Sequence, residues 1–264
     1  MPERPDRNTE SATRSREPGS GFDPPFLRRL AEDMKRQGNQ PVLGVKRGLW
    51  RQDDEHAGDA DTAFAKVCAE VLSRDNDTCR FCGWRAQKYQ ECHHVDNDHR
   101  NNDPDNLITT CTLCHQVHHI GMCAMRDGGF FAVIPELTQV EVNNIVRVIH
   151  IVEATPNKAD SSVVDKLRGL YGLFCMRGPD SLKLLFPGLD VSDPFCLTRM
   201  LSECDEAIYA QRDKILAPIR LVAKREAFHP GQLDFYAHNN VRDWAPTQWP
   251  ALAQQLYAGN GACS

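Results

Sequence analysis

The sequence predicts an α+β protein: a small metal-stapled module with short strands, followed by a larger, mostly helical C-terminal portion. Three observations predict it. Two Cys-x-x-Cys pairs, "CRFC" at 79–82 and "CTLC" at 111–114, bracket a histidine-rich stretch. Short strand-like runs lie beside that stretch and recur later, and from residue 138 onward apolar residues return at helical spacing.

Residues 1–40 are rich in Pro, Arg, Glu, Ser and Gly without sustained apolar periodicity, which predicts a disordered extension with a short helix at "PPFLRRLAEDMKRQG". Residues 41–134 read as the metal module and 135–264 as the helical portion packed on it. Order is expected to begin at "PVLGVKRGLW". The segment "DADTAFAKVCAEVLSRD" then puts Ala63, Val67 and Val71 on one helical face and delivers the chain to the first Cys-x-x-Cys. "KYQEC" reads as a strand leading into His93 and His94, and "GGFFAVIPEL" as another strand.

"LTQVEVNNIVRVIHIVEA" opens with Thr138 and Glu141 at capping-box spacing, ahead of apolar positions 142, 145, 146, 149 and 152. A helix follows from that pattern. Further helices are predicted at "SSVVDKLRGLYGLFCM" and, as one element, at "DPFCLTRMLSECDEAIYAQRDKI", with Asp193 as N-cap and Pro194 at the first helical position. "IRLVA" reads as a short strand and "QLDFYAHNNVRDWAPTQWP" as irregular structure. Phe235, Tyr236, Trp244 and Trp249 in that last stretch are either core or a partner-binding surface. There is no internal repeat, phosphate-binding P-loop or dinucleotide fingerprint.

Composition bounds the function. A chain of 264 residues that is 41% hydrophobic can bury a real core. No apolar run approaches the roughly 18 to 20 residues that span a bilayer, and the N-terminus lacks the apolar region of a secretory signal. A cytoplasmic protein is expected, one that reaches a membrane through a partner. Five of the eleven cysteines fall between 79 and 114, which in a reducing compartment points to metal. The other six, Cys68, Cys175, Cys196 and Cys204 among them, are expected to be mostly buried free thiols. The net charge is -5, and residues 79–126 carry five basic side chains against five acidic ones. Nucleic acid is therefore the less favoured partner, because phosphate contacts supply most of such binding.

Cys79, Cys82, Cys111 and Cys114 have the spacing of a single structural zinc site, each pair supplying two sulfurs about 2.3 Å from one ion. Gly83 directly after the first pair fits such a turn. Between and after the pairs, His115 and His119 lie four apart, so on one helix their imidazoles share a face, and His93 can complete a second divalent site. His99 and His118 have no role in this reading.

The stretch resembles the HNH (ββα-metal) superfamily. That resemblance implies His93, His115 and His119 as metal ligands, His94 as general base and Asn106 as the residue that orients it. The chemistry would be hydrolysis of a phosphodiester, with a divalent ion neutralising phosphate charge and an imidazole taking a proton from water. A narrower resemblance covers about residues 42–250. "LGVKRGLW", "LSRDNDTCRFCGWRAQKYQECHHVDNDHRNNDPDNLITTCTLCHQVHHIGM", "PELTQVEVNNIVR", "IRLVAKREAFHPGQLDFY" and "APTQW" are similar, in order, to the IcmJ/DotN family of bacterial type IVB secretion coupling complexes. It implies a zinc-stabilised, non-enzymatic adaptor that binds the C-terminal region of the inner-membrane coupling ATPase and other secretion subunits and helps recruit effectors. A metal-dependent HNH endonuclease cleaving DNA is the alternative.

Overall fold

The computed structural model describes residues 40–45, 57–98, 101–154, 161–188, 191 and 193–239. The expected helix at 24–38, and Trp244 and Trp249, lie outside them. The described residues form helices and two small antiparallel sheets, an α+β arrangement.

Helix α1 (Ala57–Arg74) packs Phe64, Val67, Cys68, Val71 and Leu72 against Cys92 and Leu107. Those two residues sit on strands β1 (Gln90–His94) and β2 (Leu107–Cys111), which pair antiparallel with Gln90 opposite Cys111 and His94 opposite Leu107. One expectation is corrected here: Cys68 is not a free thiol but is disulfide-bonded to Cys92, which ties α1 to β1. The strand also begins later than "KYQEC" implies, because Tyr89 turns the chain with φ +70°. His93 and His94 consequently lie within β1 rather than after it.

Helix α2 (Thr112–His118) follows β2 without a gap, and α3 (Ile120–Met125) follows after a break at His119. The N-terminal segment 40–45 explains the break. The Gly44 N–H donates to the Val117 carbonyl at 3.0 Å, and the Gly44 carbonyl accepts from the Ile120 N–H at 3.1 Å, so residue 44 occupies the place of the missing helical bonds. Tyr209 and Arg212 hold this segment from outside, through the carbonyls of Val45 and Leu43.

Strands β3 (Gly129–Val133) and β4 (Ile219–Ala223) make the second sheet, antiparallel, with Gly129 opposite Ala223. Alternation along each strand sends side chains to opposite faces. Phe131, Ile219 and Leu221 join a core with Leu43, Val117, Ile120, Leu182, Leu197 and Leu201. Ala132 and Val222 face the other core, which contains Trp84, Cys79, Cys111, Cys114, Val142, Val146, Ile149 and Tyr236. The cysteines are thus part of the main core.

Helix α4 (Gln139–Ala154) starts at the expected capping box: the Thr138 N–H donates to Glu141 at 2.7 Å, and the Glu141 N–H donates to the Thr138 hydroxyl at 3.2 Å. Helices α5 (Ser161–Met176) and α6 (Pro179–Leu185) follow. The helix expected over 193–215 is three: α7 (Pro194–Glu203), α8 (Glu206–Ala210) and α9 (Arg212–Ile215). Cys204 is extended, with ψ 157°, and Asp205 caps the next turn by accepting from the Ile208 N–H. The irregular stretch expected after 232 is also corrected: Gln232–Asn239 is helix α10, entered through Gly231 at φ +75°. Its Tyr236 is 1% exposed and meets Trp84 edge-on, so it is core rather than a docking surface.

Candidate metal centres

The first cysteine pair sits on a tight turn. The Gly83 N–H donates to the Cys79 carbonyl at 2.9 Å, the Cys79 N–H donates to the Trp84 carbonyl at 2.9 Å, and Gly83 has φ +71°. That backbone conformation favours glycine and lets both sulfurs point the same way. The second pair is placed by a helix start: Cys111 ends β2 and precedes α2, and Cys114 lies one turn in. The four sulfurs all lie within 4.8 Å of one another, and Cys82 and Cys111 are 3.6 Å apart. A tetrahedral ion with 2.3 Å bonds puts its sulfurs about 3.8 Å apart, so this group can hold a metal ion. Hydrogen bonds led by Cys111 bring Cys79 down to about 7 and Cys82 well below the usual thiol range. Burial pushes Cys111 well up, and its neighbouring thiols, Cys111 first, do the same to Cys114. Four thiols this close cannot all ionise without a cation among them.

Helix α4 reaches into this centre. Asn143 donates to Cys114 Sγ at 3.4 Å, and Arg147, one turn on, donates to Cys111 Sγ at 3.0 Å and Cys82 Sγ at 3.5 Å. The Arg147 guanidinium also lies 4.7 Å from the centroid of the Trp84 ring.

The histidines form a second group. One nitrogen from each of His93, His115 and His119 lies within 4.8 Å of the others. His119 is not on the same helix as His115: it is the residue at the break between α2 and α3, with φ -128° and ψ 56°. His115 Nδ1 donates to the Glu91 carboxylate, which also accepts from His229 Nε2 at 3.2 Å. Burial works against the Glu91 charge, but these two imidazoles hold its carboxyl well below the usual range. A carboxylate only accepts, so His115 carries its proton on Nδ1 and presents Nε2, the arrangement found behind metal-bound histidines.

His94 is turned the other way. It is 5% exposed, its ring stacks on Phe64 at 5.1 Å, and Nε2 lies 3.0 Å from the side-chain oxygen of Asn102. Asn106 ends the short helical turn Pro104–Asn106 ahead of β2. It donates to Asp96 at 2.9 Å and to the Asn101 carbonyl at 2.9 Å, closing the 95–106 connection. His118 stacks on His93 at 4.2 Å, and burial, then His115 and His119, push it down to about 3.

No family model matches the chain. The type 4 apparatus protein DotN of Legionella pneumophila (strain Philadelphia 1) is 30% identical over 200 residues, which are 75% of this chain and 89% of DotN. The chain belongs to the DotN family.

Several residues of this DotN-family site escape sequence reasoning. Glu91 and His229 meet across 138 positions, and Cys114 and Asn143 across 29. One signal was present: Asn143, Arg147 and His150 recur at i, i+4 and i+7 along the apolar face of one helix, and all three are buried. Polar side chains on such a stripe have polar business inside.

Proposed function

We propose that this chain is a zinc-stapled, non-enzymatic adaptor of a bacterial type IVB secretion coupling complex. In this reading it binds the C-terminal region of the coupling ATPase and other secretion subunits, and so helps recruit effectors from the cytoplasmic side of the inner membrane. The observation that carries it is the extent of the relationship to DotN, 75% of one chain and 89% of the other, well past the cysteine module. Residues 41–134 act as the metal module and 135–264 as the portion packed on it, with zinc chosen because four thiolates in tetrahedral array suit it. Among the described residues no helix is long and apolar enough to cross a membrane.

A second reading, an HNH nuclease, draws on one observation: His93, His115 and His119 gather their ring nitrogens within 4.8 Å of one another. Against it stands the burial of His94 at 5% exposure under Phe64, since a general base has to reach a water. Metal quantification by mass spectrometry, plasmid incubation with magnesium, manganese, nickel or zinc, and capture by the coupling ATPase tail separate the two. Bound zinc, intact plasmid and capture are expected. Cleavage that disappears in His94→Ala would make the nuclease reading the correct one.

A further inference from the structure

The four-cysteine centre brings a buried cation with it. Arg147 is 1% exposed. Its guanidinium contacts one sulfur from each pair, Cys82 at 3.5 Å and Cys111 at 3.0 Å, and donates to the Asn144 side-chain oxygen at 2.6 Å. Among the described residues no carboxylate pairs with it. A guanidinium taken out of water needs a compensating negative charge, and leaving it alone is strongly destabilising. The sulfurs are the groups in place to supply that charge. Four thiolates around one divalent ion keep a net charge of minus two.

We propose that Arg147 is the charge partner of the metal–thiolate centre, and that metal occupancy and the docking of α4 are coupled through it. The proposal rests on reading the four cysteines as a metal site. It makes Arg147 a positioning residue whose effect is larger with metal bound than without. With metal bound, the guanidinium offsets the excess negative charge and holds both cysteine pairs against α4. With metal removed, the same guanidinium loses the fixed negative charge of the four bound thiolates.

The test uses the full chain as wild type, Arg147→Met and Arg147→Lys. Zinc content, the rate of zinc transfer to a chromophoric chelator, and the melting temperature before and after metal removal are measured. Arg147→Met keeps an unbranched apolar side chain but removes the charge. It is expected to bind zinc and release it at least about tenfold faster than wild type, the usual penalty for losing a group that supports a ligand. Its melting temperature should fall further below wild type with zinc than without it. Arg147→Lys should restore slow release. Equal release rates, or equal losses of melting temperature in both states, would mark a packing role and overturn the coupling alone. Wild type without bound metal would overturn the coupling together with the reading beneath it. If Arg147→Met does not fold, Arg147→Lys decides: slow release supports the proposal, and release as fast as from Cys82→Ser sinks it.

Discussion

Asp75 ties the end of α1 to β2 by accepting from the Thr109 N–H at 3.0 Å and from Arg74 Nε at 3.0 Å. Burial works against its charge, yet the Arg74 guanidinium and the Thr109 amide hold its carboxyl below the usual range. A depressed carboxyl stabilises the fold fully above the unfolded value of about 4, and that contribution is lost as pH falls through the lower folded value. Asp75→Asn should therefore cost about 1–3 kcal/mol near neutral pH and much less near about pH 3, as read by urea unfolding at both. The cysteines were legible in the sequence because metal-ligand spacing is local: two residues between sulfurs set one turn of chain. Arg147 and Glu91 were not, since their partners are chosen by packing across 36 residues, from Arg147 to Cys111, and 138, from Glu91 to His229. Asn102 marks the same limit, because nothing in the spacing singles it out as the neighbour of His94.

At the level of elements, periodicity located α1, α4, α5 and both long-range strands, since each carries an apolar face that must be buried. It did not resolve α7 from α8, although Asp205 after Cys204 offers a fresh cap where the hydrophobic pattern alone runs on. Nor did it foresee α10, whose helix depends on the buried Tyr236 and on Gln232, which donates to the Thr112 hydroxyl at 3.0 Å. The β3–β4 pair has a sharper local requirement. A Cβ at Gly129 would stand 2.8 Å from the Val222 carbonyl oxygen and 3.2 Å from Cys123 Sγ. Backbone cannot swing aside as a side-chain tip can, so Gly129→Ala should destabilise by about 1–3 kcal/mol with its circular dichroism spectrum retained. Urea midpoints of the two proteins are the comparison to make.

For the molecule as a whole, the metal centre and the helical portion share one hydrophobic cluster, so neither should loosen alone. Hydrogen exchange after chelation is expected to lose protection in α4 around Asn143 and Arg147 as well as in the two cysteine turns. Loss confined to residues 79–85 and 111–114 would show that the centre is a local clip. The far-apart partners have another consequence, in time rather than in space. β3 is complete at Val133, yet its partner begins at Ile219, and Thr112 waits for Gln232. On the ribosome, all four metal-binding thiols are synthesised long before the strand and helix that cover them. The half-made chain is the most vulnerable form, prone to oxidation and to sticking at the edge of β3. On the proposed reading of the four cysteines, early capture of metal is then a safeguard for the nascent polypeptide as much as a support for the finished one.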